Sequence, residues 1–200
     1  MKELFTIGHS NHSLDHFIEL LLQHRLSTIA DVRSSPYSKY SPHFNKDVLD
    51  SALRNANIEY IFLDRELGAQ RSEDDCYIDG QAKYDRIAHL STFQRGLEIV
   101  LQGVEHYRIA LMCSESEPIT CHRTILVCRE LKRICTDLKI THILGDGTEE
   151  RQEMSEKRLI NLHKLQPELF GDLTSTSGLI EKAYDLQVEK IAYKKVHVEA

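Results

Sequence analysis

The stretch RIALMCSESEPITCHRTILVCRELKRI, residues 108–134, decides the fold class of this chain. It opens at residues 108–112 with a short apolar run that predicts a buried strand. Residues 120–134 carry apolar side chains at helical spacing, and Pro118 and Thr120 suit the entry to a helix. The stretch therefore predicts a strand, a polar connection and a helix, which is the repeating unit of a parallel α/β sheet.

The same alternation of apolar runs and helical periodicity continues through the rest of the chain. It predicts four further strands, at residues 4–7, 28–32, 59–63 and 140–144. It also predicts helices at residues 14–24, 46–55, 149–165 and 179–193, with one or two more between residues 82 and 104. We therefore expect an α/β fold: a mostly parallel sheet of about five strands with helices on both faces, in three α/β/α layers.

The length of 200 residues suits one domain with a small appendage. We expect a single α/β domain over residues 1–170, followed at 171–200 by a linker and a C-terminal helix that packs on the domain or extends from it. The chain is 41% hydrophobic and 28% charged, which is typical of a globular protein. Its formal net charge of −6 argues against an extended basic surface for duplex DNA.

The cysteine content and the apolar runs bear on the compartment. The chain has five cysteines, and no pair of them has C-x-x-C spacing, so we expect free thiols rather than a disulfide framework. The first residues lack the apolar region of a signal peptide, and no run reaches the roughly 18 apolar residues of a membrane span. We therefore expect a cytoplasmic protein with no membrane partner. The oligomeric state is not predicted.

Reactive side chains are densest after the strand at residues 108–112. Cys113 and Glu115 follow this strand, and Cys121, His122 and Arg123 come at the predicted start of the next helix. A helix N-terminus offers free N–H groups and partial positive charge, which bind anions and lower the pKa of a thiol. We expect His122 and Arg123 to bind an anion, Glu115 to act as an acid or base, and either cysteine to be a nucleophile. The alternative is that the cysteines are small core residues and Glu115 only caps a helix or pairs with an arginine.

Two other predicted strands end in polar residues that should reach the same edge of the sheet. His9 and Ser10 follow the first strand; His9 is a candidate acid or base and Ser10 a substrate-binding residue, or both are turn residues. Asp31 and Arg33 share one face, so we expect Asp31 to orient Arg33 for binding an anion. Tyr37 lies in a long Ser/Pro/Tyr loop that could stack on a base or be a solvated surface loop.

A bound metal is a less favoured interpretation of the same residues. Zinc takes about four nitrogen or sulfur ligands, which Cys113, Cys121, His122 and His9 could in principle supply. Seven residues separate the two cysteines, and this spacing matches no structural zinc knuckle. We therefore predict no metal ligands and no cofactor, and keep a metal as the alternative.

Several short strings at these positions resemble one protein family. They are Gly8-His9-Ser10, Asp31-Val32-Arg33, Ser41-Pro42-His43-Phe44, Leu67-Gly68, Met112-Cys113-Ser114-Glu115, Cys121-His122-Arg123, His142-Ile143-Leu144, Asp146-Gly147, Leu169-Phe170-Gly171, Ala183-Tyr184 and Lys190-Ile191-Ala192-Tyr193. Together they are similar to the bacterial and archaeal domain-of-unknown-function family 488. The resemblance implies an α/β fold and a site at these motifs, and it supplies no reaction.

The leading hypothesis from the sequence is an enzyme that acts on a nucleotide, a nucleic-acid end or another phosphorylated small molecule. The site would lie at the edge of the sheet where the strands end. One alternative is a non-catalytic module that binds a nucleotide or single-stranded nucleic acid. The other is a thiol-based metal or redox protein.

Overall fold

The computed structural model describes residues 2–168 and 175–195. Within these residues it has eight strands, six of which form the main sheet. In chain order the strands are β1 (Glu3–Gly8), β2 (Thr28–Asp31), β3 (Glu59–Phe62), β4 (Tyr77–Ile78), β5 (Gln81–Ala82), β6 (Ile109–Cys113), β7 (Lys139–Ile143) and β8 (Glu149–Arg151). The main sheet has the order β3-β2-β6-β1-β7-β8, and β4 and β5 form a separate antiparallel hairpin. All neighbours in the main sheet are parallel except β7 and β8.

Eight α-helices connect or cover these strands in the described residues. They are α1 (Leu14–Gln23), α2 (Lys46–Asn55), α3 (Asp64–Leu67), α4 (Tyr84–Ala88), α5 (Ser91–His106), α6 (Arg129–Ile134), α7 (Gln152–Leu162) and α8 (Thr176–Ile191). Short 3-10 turns occur at Pro42–Phe44, Asp74–Cys76 and Pro118–Thr120, and a π-helical segment at Arg123–Cys128 leads directly into α6.

Helices cover both faces of the sheet, and each face has its own hydrophobic core. On one face, α1 and α2 bury Phe17 and Leu49 against Phe5 of β1. On the other face, α5 and α6 contribute Leu97 and Leu131 to a larger core that also includes residues of α7 and α8. The alternation of strands and helices therefore predicted the three-layer α/β fold correctly, because parallel strands buried on both faces are almost continuously apolar.

The sheet has one more strand than the sequence predicted. β8 pairs antiparallel with β7, with Thr141 opposite Arg151, so the predicted helix at 149–165 begins only at Gln152. The segment Glu149–Arg151 consists of charged residues and carries no apolar alternation. It is held at the edge of the sheet by backbone pairing with β7, and the carboxylates of Glu149 and Glu150 also bond His24, Ser155 and Arg158. Short, charged edge strands of this kind resist further pairing with other chains.

The helix predicted at 120–134 also begins differently. Cys121 has an extended backbone, and its carbonyl oxygen accepts hydrogen bonds from the amides of Thr124 and Ile125. Cys121 rather than Thr120 therefore occupies the cap position. The widened π-helical turns that follow are a feature often found at functional sites.

The C-terminal helix packs on the domain. α8 places Ala183 and Tyr184 in the larger core and contacts α7. After α8, the chain runs along the β4–β5 hairpin, where the amide of Ala82 donates to the carbonyl of Tyr193. Residues 171–174 of the predicted linker and the string at 169–171 lie outside the described residues. Among the described helices, none combines the length and the apolar character that crossing a bilayer requires.

Candidate functional site

The loops after β1, β2 and β6 meet at one edge of the sheet. β6 lies between β1 and β2, and hydrogen bonds from His9 to Cys113 and from Ser10 to Ser114 continue the pairing of β1 and β6 past the sheet. The chain leaves β1 and β2 toward α1 and α2 on one face, but leaves β6 toward α6 on the other. Neighbouring strands whose connections diverge in this way create a crevice at their carboxyl ends.

A cavity of about 250 Å³ lies in this crevice. Its lining residues are Arg33, Ser34, Ser35, Ala69, Gln70, Tyr84, Cys113, Ser114, Glu115, Thr120, His122, Ile191 and Tyr193. A larger cavity of about 500 Å³ lies between α6 and α8, but its charged side chains pair with one another, as Arg129 does with Glu181 and Asp185. We place the candidate site at the smaller cavity, because thiol, carboxylate and imidazole groups meet there.

Four side chains cluster at the floor of the smaller cavity: Cys113, Glu115 and His122 line it, and Cys121 joins them without lining it. Glu115 turns its carboxylate inward, and the same oxygen, Oε2, lies 2.9 Å from the sulfur of Cys113 and 3.1 Å from that of Cys121. The Cys113 sulfur is also 3.6 Å from Nδ1 of His122. The four atoms that could ligate a metal all lie within 4.8 Å of one another. The structure therefore brings together four of the residues that the sequence singled out after β6.

One hydrogen bond fixes the orientation of the His122 ring. Its Nε2 lies 2.9 Å from the carbonyl oxygen of Val32, at the end of β2. Because a carbonyl only accepts hydrogen bonds, Nε2 must carry the proton that it donates. Nδ1 then points toward the Cys113 sulfur. Burial opposes protonation of this ring, but the hydrogen bond and the negative charge of Cys121 outweigh burial and raise the pKa of His122.

The cluster perturbs the ionisation of its own members. Burial raises the pKa of Cys113 well above the usual thiol value, and the nearby Cys121 raises it further. Burial also opposes ionisation of Cys121, but its hydrogen bond with Cys113 and the charge of Arg123 outweigh this and lower its pKa. Burial, followed by the negative charge of Cys121, raises the pKa of Glu115. One thiol of the pair is thus favoured as the thiolate.

Arg123 does not reach the cavity. Its side chain is fully buried, and it donates to the carbonyl oxygens of Glu115 (2.5 Å) and Ser116 (3.2 Å) and to the hydroxyl of Thr6. These hydrogen bonds hold the loop between Cys113 and Cys121. The donors of Arg123 thus bind the protein, which favours a role in positioning the loop; anion binding by Arg123 stays a prediction.

Asp31 and Arg33 meet at the wall of the cavity. Arg33 donates to Asp31 through Nε and through Nη2, which is 2.6 Å from Oδ2, and it also donates to the carbonyl of Phe44. The hydroxyl of Tyr60 donates to the same Asp31 carboxylate at 2.7 Å. The predicted pair is present, and Arg33 lines the cavity, but most of its donors are engaged by the protein.

Three other predicted site residues lie outside the cavity lining. His9 is buried, stacks on Phe44 with ring centroids 4.3 Å apart, and has its pKa lowered to about 4 by burial and by the charge of Arg33. Ser10 has a positive φ of 48° and donates to Asn11, as a turn residue would. Tyr37 is 54% exposed and donates to Asp47. These positions are compatible with the turn and surface-loop alternatives, and the roles of these three residues in a site stay predictions.

Several residues of the cavity were not predicted from the sequence. Gln70 follows α3, Tyr84 begins α4, and Tyr193 follows α8. Burial, followed by the charge of Cys121, raises the pKa of the Tyr84 hydroxyl. These three residues come from segments far apart in the chain, and the only signal was the string containing Tyr193.

The fold and the site together define a class: an α/β protein with a cluster of cysteine, carboxylate and imidazole groups in the crevice of its sheet. Residues 13–129 match the family described as Domain of unknown function DUF488, which is more than half of the chain. The chain therefore belongs to this family. The matched region contains the whole cluster from Cys113 to His122 and ends at the start of α6. No curated protein and no solved structure matches the chain.

Proposed function

We propose that the protein is an enzyme that acts on a nucleotide, a nucleic-acid end or another small phosphorylated molecule bound in the 250 Å³ cavity. The observation that carries this proposal is the cluster of Cys113, Glu115, Cys121 and His122 at the cavity floor. Such groups move protons or bind metals, and the carboxyl ends of parallel strands are where α/β proteins bind their ligands.

The size of the cavity narrows the substrate. A volume of about 250 Å³ is below the roughly 300–1,000 Å³ of sites that enclose a whole drug-sized ligand. The cavity therefore suits the reacting end of a molecule, such as a phosphate with part of its sugar, while the rest of a longer substrate stays outside.

The lining of the cavity supplies neutral hydrogen-bonding groups beside one guanidinium. Ser34, Ser35 and Thr120 carry hydroxyls and Gln70 carries an amide, and Arg33 contributes charge that Asp31 partly neutralises. This balance supports binding of a singly esterified phosphate or a polar sugar edge rather than a polyphosphate, which recruits several free cations.

Glu115 is the residue to which we assign proton transfer. Glu115 as a residue is exposed to solvent, yet its carboxylate reaches the sulfurs at the floor of the cavity. A carboxylate at this position can take a proton from an attacking water and return it to a leaving group. Ser35 and Gln70 line the cavity without belonging to the cluster, so we assign them to substrate binding.

The test is to incubate the full chain with mononucleotides carrying a 5′ or a 3′ phosphate and with short single strands bearing each terminal phosphate. Mass spectrometry of the small molecules detects any reaction. We expect wild type to form product, Glu115→Gln to bind without forming it, and Gln70→Ala to raise KM more than it lowers kcat. Binding without turnover by wild type would instead support the non-catalytic module, and no binding of any of these compounds would refute the proposal.

A further inference from the structure

The cluster at the cavity floor has the donor set and the spacing of a metal site. Zinc bonds of about 2.0–2.3 Å in a tetrahedron place neighbouring ligand atoms about 3.3–3.8 Å apart. The sulfur of Cys113 and Nδ1 of His122 already lie 3.6 Å apart, and all four candidate atoms lie within 4.8 Å of one another. We propose that Cys113, Cys121 and His122 bind a zinc ion, with Glu115 beside its open coordination position.

The orientation of His122 supports this assignment independently of the distances. A histidine that ligates a metal usually donates its other ring N–H to a carbonyl or carboxylate, which fixes the ring and its tautomer. His122 makes this bond through Nε2 to the Val32 carbonyl, and its Nδ1 faces the Cys113 sulfur. The ring is thus already oriented with Nδ1 toward the other proposed ligands.

The backbone around the two cysteines is also fixed in advance. Cys113 ends β6, which is paired with a strand on each side, and Cys121 caps the helical segment that leads into α6. Arg123 binds the carbonyl oxygens of Glu115 and Ser116 and so holds the connection between them. Ligands on fixed elements lose little conformational entropy on binding, which favours a specific metal site.

The chemistry of the donors selects the metal. Two sulfurs and one imidazole nitrogen suit zinc, whereas magnesium and calcium prefer sites made only of oxygen atoms. The geometry agrees, because one oxygen of Glu115 lies between the two sulfurs, 2.9 Å from that of Cys113 and 3.1 Å from that of Cys121. A cation bound to both sulfurs as thiolates would replace the protons that now bridge these sulfurs and the carboxylate.

The burial of the four residues distinguishes those that would bind the metal from the one that would lie beside the open coordination position. Cys113 and Cys121 are 3% and 1% exposed, so they lie on the protein side of the cluster. Glu115 belongs to the exposed loop on the cavity side. Three protein ligands with a fourth position open to solvent are the arrangement of catalytic rather than structural zinc sites.

Zinc binding does not depend on the proposed enzymatic activity, and the two are tested by different measurements. The full chain is purified without an affinity tag that binds metal, and its metal content is measured by mass spectrometry. The chelator-treated protein is then titrated with Co²⁺, whose charge-transfer absorption reports bonds to thiolate sulfur. We expect about one zinc per chain and a cobalt spectrum with tetrahedral character.

Single substitutions assign the ligands. Cys121→Ser and His122→Asn should each weaken Co²⁺ binding by more than about 100-fold. Cys135→Ser is the matched control, since Cys135 is only partly buried and bonds Asp137 outside the cluster, and it should bind like wild type. Glu115→Gln should keep the metal. Circular dichroism checks that each variant folds. If a variant does not fold, the titration of the wild-type protein still tests whether the metal binds.

The outcomes that would overturn the inference are equally specific. These are wild type that binds neither zinc nor cobalt more tightly than about micromolar, a Cys113–Cys121 disulfide in place of metal, or equal losses in Cys121→Ser and Cys135→Ser. Loss of metal in Glu115→Gln would show that Glu115 is itself a ligand and would refute an open fourth coordination position. Zinc bound without any product would refute the proposed activity alone, whereas product formed by metal-free protein would refute a role of zinc in it.

Discussion

Asp31 and Arg33 form an ion pair that is almost closed to solvent. Arg33 Nη2 lies 2.6 Å from Asp31 Oδ2, and the two side chains are 5% and 0% exposed. The backbone amide of Arg33 and the hydroxyl of Tyr60 donate to the same carboxylate. Every oxygen of this carboxylate is therefore bonded, and the position of Arg33 at the cavity wall depends on Asp31.

This enclosure makes the fold sensitive to loss of one partner. Asp31→Asn should lower the free energy of unfolding by about 3–5 kcal/mol, because it leaves the Arg33 charge buried without a counter-ion. Urea denaturation with an unchanged m-value is the measurement. The control is Asp50→Asn, which breaks the exposed pair with Arg54 and should change stability little. Similar losses in both variants would contradict the importance of enclosure.

Gly8 is the point of closest approach between β1 and the Cys113–Cys121 loop. A Cβ added there would lie 1.8 Å from the carbonyl oxygen of Glu115 and 2.9 Å from Cα of Ser116, so the loop must move. We expect Gly8→Ala to destabilise the protein by about 1–3 kcal/mol and to weaken Co²⁺ binding at the displaced cluster.

Gly103 provides the comparison for this variant. It lies in α5, where an added Cβ meets only the terminal carbon of Ile109, at 3.3 Å. Alanine gains about 0.5–1 kcal/mol over glycine within a helix, and the end of a side chain can shift. Gly103→Ala should therefore leave stability within about 1 kcal/mol of wild type and metal binding unchanged. A large effect on cobalt binding in Gly103→Ala would show that the cluster responds to general strain.

The fold was predictable wherever burial of a strand or helix requires a recognisable pattern of apolar residues. Four strands, β1, β2, β6 and β7, appeared as apolar runs because helices cover both of their faces, and the edge strand β3 still carries three aromatic or apolar side chains. β8 has no such pattern, since all three of its residues, Glu149, Glu150 and Arg151, are charged and none is buried. Whether such a segment becomes a strand depends on pairing with its neighbour β7, and the local pattern of apolar residues gives no information about that pairing.

The candidate site was predictable as far as chain order determines position. Cys113 and Glu115 end a strand and Cys121 and His122 begin the next helical segment, so their proximity follows from the connection being short. The direction of Arg123 does not follow, because consecutive helical residues point about 100° apart and the π-helical turn changes that angle. Residues such as Tyr84 reach the cavity only through tertiary packing.

Arg123 should matter for the shape of the loop rather than for binding substrate. Arg123→Met removes its partly buried hydrogen bonds and leaves the carbonyl groups of Glu115 and Ser116 without these donors. We expect a loss of at least about 2 kcal/mol in the free energy of unfolding, with a smaller loss for Arg123→Lys. Arg25→Met, at an exposed position, is the control and should be near neutral. Equal stability of Arg123→Met and wild type would contradict a positioning role.

His142 should make the stability of the protein depend on pH. It is fully buried in β7, where Nδ1 accepts from Thr6 and Nε2 donates to Gln152. Burial, followed by the charge of Arg123, lowers its pKa from 6.5 to about 3. The Gln152 hydrogen bond and the Cys121 charge oppose this with smaller effects. The folded protein therefore keeps this imidazole neutral under conditions where the unfolded chain protonates it.

Because the unfolded chain then binds more protons, the free energy of unfolding should fall as the pH falls from about 6.5 toward 3. His142 alone should account for a loss of about 1.4 kcal/mol between about pH 7.5 and pH 5.5. Urea denaturation at the two pH values, compared between wild type and His142→Asn, measures this term. The variant lacks the titrating group, and all other ionisable residues contribute equally to both proteins. We expect a pH dependence that is shallower in His142→Asn by about that amount; identical slopes would show that His142 is already protonated in the folded protein or stays neutral in both states.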